Sequence, residues 1–506
     1  GRVALAGAGA AALAVDALLP RSLYPSLRAT LLTTGFVALA CALGAATPRA
    51  FVGWRSRRHW QSAAATLCAG ALLLLAGRAL VDVSANTRFV ANAQAPATAL
   101  VLDAVTMVKP FAVRSLSQPA TVANAGAANT AAAAPSTVAA AKSATASRAD
   151  TDLAAAGDAW AQAAAPLGDA HVVIVTVDAL RADRLRPEHM PLVAAATAHS
   201  LAFSRAYAAA PSTAASITAL LTAHHPSHLD ARPPTLAHIA RANGWLTAAF
   251  FPAGLFFDGG GPLLPYANDH FGFEWVDTRT LPAEELTDAV LARVQQLVAD
   301  GEPRSFLWVH YFDPHEPYEL HGLPADAPPV ARYDAEVAAV DGALARLING
   351  LTNLARPTLL VITGDHGEEF GEHGGAYHGS SVYDEQLRVP LVVTVVGRAV
   401  LPAATIATPV SLVDVAPTLA ALAGLPPSAG DGRPLPPLDT APRDVVAAVH
   451  TRRMLLRWPW KLIHDLRRDV DELYDLQSDP REMRNAFDLH ADVGSTLRAA
   501  LGQWLN

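Results

Sequence analysis

The stretch HVVIVTVD at residues 171–178 constrains the fold more than any other part of this 506-residue chain: it is a β-branched run with no polar alternation, closed by an acid. A strand of that pattern is buried on both faces and ends in a loop. Comparable strands are predicted at 245–251, 305–311, 358–363 and 389–396, with helical periodicity at 282–300 and 333–349 between them. Strands alternating with helices make α/β layers around a mainly parallel sheet. In such a sheet ligands gather at the carboxyl ends of the strands. A Pro-rich patch at 426–442 then separates a final segment with its own strand signal, RRMLLRWPWKLIHD.

The first 85 residues have another texture. Residues 29–46 and 62–77 are uncharged apolar runs close to the length that crosses a bilayer, and 3–19 is a third, interrupted by Asp16. They predict a membrane anchor of two or three transmembrane helices. The loop TPRAFVGWRSRRHWQS carries Arg49, Arg55, Arg57 and Arg58, no acid, and Trp54 and Trp60 where an interfacial belt would sit. By the positive-inside rule this loop is cytoplasmic, which puts the later part of the chain on the outer, periplasmic side of an inner membrane. A cleaved signal peptide is the competing reading of 3–19, although it does not account for all three segments. The chain begins without Met, which leaves further spans ahead of Gly1 open.

Residues 86–167 are rich in Ala, Ser and Thr and poor in large apolar side chains, so they read as a low-complexity linker. A catalytic domain at 168–440 and a C-terminal subdomain at 441–506 are expected beyond it. The net charge of −8 argues against nucleic acid as a partner. Both cysteines, Cys41 and Cys68, precede the linker, so the later domains have no thiol for a disulfide or a cysteine zinc site.

Acids and histidines fall at the predicted strand ends. Asp178 closes VTVD; Asp365 and His366 follow LLVITG, with Glu368, Glu369, His373 and His378 close behind; His310 and His315 lie in LWVHYFDPHEPY. Taken singly, a strand-terminal Asp is more often a cap or turn residue, and a lone His a hydrogen-bonded structural one. Their convergence, with glycines interleaved in DHGEEFGEHG, points instead to a metal site. Carboxylate and imidazole donors without thiolate suit Mn, Zn or a related divalent ion. Ser212 and Thr213 in APSTAASITALLTA read, on their own, as the N-terminal cap of a helix.

The motifs VDALRADRL, STAASITALLTA, HYFDPHEPY, YDAEVAAVD, TGDHGEEFGEHG, HGSSVYDEQLRVPLVV and SLVDVAPTLAALAGL, then KLIHD before ELYDLQSDPREMRNA, occur in that order over 169–485. In this the chain resembles the sulfatase family of the alkaline phosphatase superfamily. The resemblance implies a doubly wound, mainly parallel α/β sheet with a small C-terminal sheet subdomain and one divalent metal at the nucleophile. Matched residue by residue, Asp178, Asp365 and His366 correspond to metal ligands, and Thr213 to the nucleophile that the metal also contacts. His315 matches the histidine at the leaving-group oxygen, and His378 the basic position on the transferred group. His310 and His373 are expected as substrate-binding companions. Tyr333, Asp334 and Asp341 are expected to position a helix, and Asp414 and Pro417 to be structural.

The departures direct the functional expectation. Sulfatases use a Cys or Ser that is oxidised to formylglycine, in an element ending in Arg; here the positions hold Thr213 and Ile217, and Ala223 replaces a glycine. Formylglycine is therefore not expected. A threonine nucleophile, and Asp365-His366 where many sulfatases have Asp-Asn, resemble the branches that handle phosphate and phosphonate esters. VDAL offers one acid where many sulfatases have two, which weakens the case for Ca. The expected activity is a metal-dependent hydrolase or transferase working through a covalent Thr213 ester, phospho substrates favoured, on an anionic ester that is lipid- or glycan-linked. Two alternatives stay open: a sulfuric ester hydrolase using unmodified Thr213, and a non-catalytic, membrane-anchored scaffold.

Overall fold

The computed structural model describes residues 165–505 apart from 230–231, 253–262, 319–322, 325 and 398–402. The expected membrane anchor and nearly all of the linker lie outside the described residues, as does the centre of the Gly-rich loop before Trp275. Among the described residues no helix is long and apolar enough to cross a membrane.

The large sheet contains β1 (His171–Val177), β2 (Leu201–Tyr207), β3 (Leu246–Phe250), β4 (Trp275–Asp277), β5 (Ser305–Tyr311), β6 (Thr358–Gly364), β7 (Arg388–Val396), β8 (Ala404–Ile406) and β9 (Val410–Ser411). Its order is β4-β3-β5-β1-β6-β7-β2-β8, with β9 also on β2. The five strands from β4 to β6 are mutually parallel, and β7 runs antiparallel to both of its neighbours. The expected mainly parallel α/β sheet is a mixed one in which most strands are parallel.

The run that reads as doubly buried is so because each face of β1 meets a separate core. Val172 and Ile174 pack on one side, Val173, Val175 and Val177 on the other. Helix α1 (Pro191–Ala196) is short. Helix α2 (Thr213–Thr222) packs in the first core, through Ile217, Leu220 and Leu221, as does α3 (Leu236–Ala242), through Leu236, Ala237 and Ala240. Helix α4 (Leu264–Asn268) precedes β4. The second core takes α5 (Ala283–Ala299) and α6 (Pro329–Thr352). Their apolar residues recur every three or four positions, Leu286, Val290, Val294 and Leu297 in α5, and Val337, Val340, Leu344 and Leu347 in α6, which makes one stripe per helix. Pro329 sits at the start of α6, where its missing N–H costs nothing.

After α7 (Asp384–Leu387) and α8 (Val415–Ala423), a four-stranded antiparallel sheet forms from β10 (Val445–Val449), β11 (Arg452–Arg457), β12 (Trp460–Asp465) and β13 (Val470–Asp475). Alternation sorts its two faces. Val446, Leu455, Leu462 and Leu473 lie under α9 (Ala491–Leu505), against Leu497 and Leu501, while Val445, Ala447, Met454, Leu456 and Ile463 join the core of the large sheet. Asp341 holds the start of α1 by accepting the N–H groups of Leu192 and Val193, and Asp414 pairs with Arg443 at 3.0 Å. Arg184 reaches Asp334, and the Tyr333 hydroxyl donates to the Ala179 carbonyl.

Candidate active site

Parallel pairing alone brings the first two acids together. Val177 of β1 is in register with Gly364 of β6, so the next residues, Asp178 and Asp365, leave the same sheet edge side by side. Two close approaches fix this edge. A Cβ on Gly364 would lie 2.4 Å from the Leu180 carbonyl oxygen, and one on Gly367 would lie 2.1 Å from that of Glu385. Neither position admits a larger residue without moving backbone.

Helix α2 points its N-terminus at this edge. Ser212 occupies the N-cap in an extended conformation, but its side chain makes no capping hydrogen bond. The Thr213 hydroxyl instead lies 3.2 Å from His366 Nε2, and Ser216 Oγ donates to the Asp365 carbonyl. The His366 Nδ1–H donates to the Gly367 carbonyl at 3.0 Å, so in the neutral ring Nε2 carries a lone pair. Burial holds the His366 pKa below its usual value, which keeps that ring neutral.

Two carboxylate oxygens complete the cluster. Asp365 Oδ1 accepts the N–H groups of Ala179 and His366, but Asp365 Oδ2 and Asp178 Oδ1 are buried and have no hydrogen-bond partner among the described residues. Both of these oxygens lie 3.5 Å from His366 Nε2. Buried unpaired carboxylate oxygens are costly, and a cation relieves that cost. With a lone-pair nitrogen and a hydroxyl facing them, the residues present fit a divalent ion. Burial alone would raise the Asp178 pKa, yet His315, His310 and His366 outweigh it and hold the carboxyl well below the usual range.

Three imidazoles share the mouth of this site. The rings of His366 and His378 are 4.2 Å apart and those of His378 and His315 are 5.2 Å apart. His315 stacks on Phe312, is partly open to solvent, and donates Nδ1–H to the Glu316 carbonyl at 2.7 Å. Burial disfavours its charged form, but the carboxylates of Asp178 and Glu316 and that carbonyl prevail and raise it to about 9. His378 is lowered by burial, and its Nδ1 lies 3.1 Å from Glu368 Oε1. The other Glu368 oxygen accepts the Tyr318 hydroxyl at 2.6 Å; burial pushes this carboxyl up to about 7.

Of the two histidines expected to bind substrate, His310 lies against the carboxylate cluster and His373 lies away from it. His310 is completely buried, Nδ1 2.8 Å from Thr176 Oγ1 and Nε2 3.4 Å from Asp178 Oδ2, so it faces the carboxylates from inside the sheet. His373 contacts Glu385 Oε1 through Nδ1 at 2.6 Å, donates Nε2–H to the Glu482 carbonyl and stacks on Tyr383 at 3.7 Å. It joins the large domain to the C-terminal segment. Sequence reasoning gave no role to Thr176 or Tyr318, because each acts on a partner distant in the chain.

A sequence model of the Sulfatase family matches residues 170–425, half of the chain. The chain is 32% identical over 185 residues to the uncharacterized sulfatase YidJ of Escherichia coli strain K12, covering 33% of this chain and 36% of that protein. It is 33% identical over 177 residues to the N-acetylglucosamine-6-O-sulfatase of Bacteroides thetaiotaomicron, covering 31% of each. The chain thus spans about a third of the length of these curated relatives. Among solved structures, the phosphonate monoester hydrolase of Agrobacterium radiobacter shares the fold, with a TM-score of 0.53 and 18% identity over 67% of this chain and 96% of that one. With the family's sequence signature running from β1 through α8, and its fold carrying the acid and histidine cluster at the strand ends, the chain belongs to the sulfatase family.

Proposed function

We propose that the protein is a metal-dependent hydrolase or transferase of phosphate or phosphonate esters that works through a covalent ester on Thr213. The observation that carries this reading is the Thr213 hydroxyl at the start of α2, 3.2 Å from His366 Nε2 and beside two unpartnered carboxylate oxygens. Both cysteines of the chain lie before the linker, so formylglycine from cysteine has no source in this domain.

The residues divide the work. Asp178, Asp365, His366 and Thr213 would hold the divalent ion. When bound, the ion supplies positive charge that acidifies the Thr213 hydroxyl and offsets charge on the transferred group. Thr213 Oγ1, its proton passing to bulk water as the hydroxyl ionises, attacks phosphorus in line, forming the O–P bond as the bond to the leaving oxygen breaks. His315, protonated at neutral pH, gives its Nε2 proton to that leaving oxygen. The N-terminal N–H groups of α2 and the His378 ring stabilise the equatorial oxygens. Water or an acceptor alcohol then attacks the phosphorus of the Thr213 ester and gives its proton to His315, while the Thr213 O–P bond breaks and the released hydroxyl takes a proton from solvent. The acceptor decides between hydrolase and transferase.

Sulfate is the second reading, favoured by the names of the curated relatives. The deciding experiment compares nitrophenyl esters of a phosphodiester, a phosphonate and a sulfate, with and without Mn or Zn. Metal-dependent phosphodiester or phosphonate cleavage supports the proposal, sulfate preference replaces it with the second reading, and no turnover on any ester together with no bound metal favours a scaffold. The apolar runs before the linker would anchor this domain outside a cytoplasmic membrane. Protease accessibility from the periplasmic side tests that placement.

A further inference from the structure

The buried carboxylate cluster has a neighbour, His310, to which the family resemblance gives no metal-binding role. Where many sulfatases have a second acid after the first strand, this chain has Ala179, with φ of 54° and no donor side chain. One strand away, His310 of β5 is in register with Thr176 of β1, which puts both on the sheet face from which Asp178 emerges two residues later. Asp178, His310 and Asp365 each offer an atom within 4.8 Å of the others, and all three are fully buried.

We propose that His310 Nε2 is a direct protein ligand of the divalent ion, replacing the missing acid with an imidazole. The proposal rests on the reading of a metal at Asp178, Asp365 and His366. The support behind the ring is already built. Thr176 Oγ1 lies 2.8 Å from His310 Nδ1 and also accepts the Trp308 indole N–H at 3.0 Å. A hydroxyl can serve Nδ1 as donor or as acceptor. With no cation bound, Nε2–H donates to Asp178 Oδ2; with a cation bound, the proton resides on Nδ1, donates to Thr176, and Nε2 turns its lone pair to the ion. Such an outer partner fixes the tautomer and orientation of a ligating histidine. Two imidazoles, two carboxylates and a hydroxyl form a donor set that selects Zn(II), Mn(II) or Co(II) over Ca(II), which takes oxygen donors.

The test uses the full-length protein, stripped with chelator and titrated separately with Zn(II), Co(II) and Ca(II). In His310→Gln, Zn(II) affinity is expected to fall at least about 10-fold, Ca(II) affinity to stay within about 2-fold, and the visible absorption of the Co(II) form to change in position and intensity. Thr176→Val is expected to weaken Zn(II) about 10-fold by loosening the ring. It becomes the deciding variant if His310→Gln does not fold. Asp365→Asn separates the two layers of inference. Zn(II) affinity and Co(II) spectrum unchanged in the His310 and Thr176 variants but lost in Asp365→Asn would overturn the role of His310 alone. Binding unchanged in all three would overturn the metal reading and His310 with it.

Discussion

Thr213 Oγ1 sits 3.2 Å from His366 Nε2, whose other nitrogen is committed to the Gly367 carbonyl. On the proposed reading this hydroxyl, held against an imidazole lone pair and beside one carboxylate oxygen each of Asp178 and Asp365 that has no hydrogen-bond partner among the described residues, is the nucleophile. Thr213→Ala should lower kcat by about 10³-fold or more while leaving the melting temperature close to wild type, because residues that act as a catalytic unit lose most of the rate together. Thr213→Ser should retain turnover. Steady-state kinetics of the three proteins checks both outcomes.

His315 gives the pH dependence its sign. Its acid form is favoured up to about 9 by Asp178 and Glu316, against the opposing effect of burial. A cation at Asp178 cancels part of that attraction, so the alkaline limb of kcat/KM is expected at or below pH 9, with activity falling as pH rises. His315→Gln should remove that limb and depress the rate most for esters with poor leaving groups. A pH profile with an activated and an unactivated ester reads both effects.

The sheet was legible where strands are continuous apolar runs, because burial on both faces leaves no room for polar alternation. Strand β2 was not: Ser204 and Arg205 interrupt it, at a register shift between Phe203 and Ala206. Strands β4, β8 and β9 are too short to show a period. Asp178, Asp365 and His366 stood out because each follows a strand directly. The glycine-interleaved motif also pointed to His373 as a site residue, yet its ring goes to Glu482, 109 positions along the chain. Spacing within a motif says nothing about such a partner.

The same joint predicts a stability profile. His373 gains Glu385 and the Glu482 carbonyl, which outweigh burial and raise its pKa; burial raises that of Glu385. A raised histidine stabilises the fold fully below its unfolded pKa, near 6.5, and that contribution is lost as pH rises through the folded value. A carboxyl raised by burial also binds its proton more tightly when folded, so it acts in the same direction. Denaturant midpoints measured from pH 6 to pH 9 should fall less in His373→Gln than in wild type.

Lys461 is buried on the inner face of the C-terminal sheet, 2.8 Å from Asp384 and 2.7 Å from Glu482. Removing the cation leaves buried Glu482 beside half-buried Asp384 with no counter-charge, so Lys461→Ala should cost about 3 kcal/mol, measured by urea unfolding. Glu482, already pushed up to about 7 by burial against the pull of Lys461, should take up a proton in the variant. The loss should therefore be smaller at pH 5 than at pH 8.

The covalent step is tested most directly by quenching the protein in acid during turnover of a phosphonate or phosphodiester and mapping the modified peptide by mass spectrometry. The account predicts a phosphoryl or phosphonyl adduct on Thr213, absent in Thr213→Ala. Turnover by Thr213→Ala at the wild-type rate, or an adduct on another residue, would contradict it.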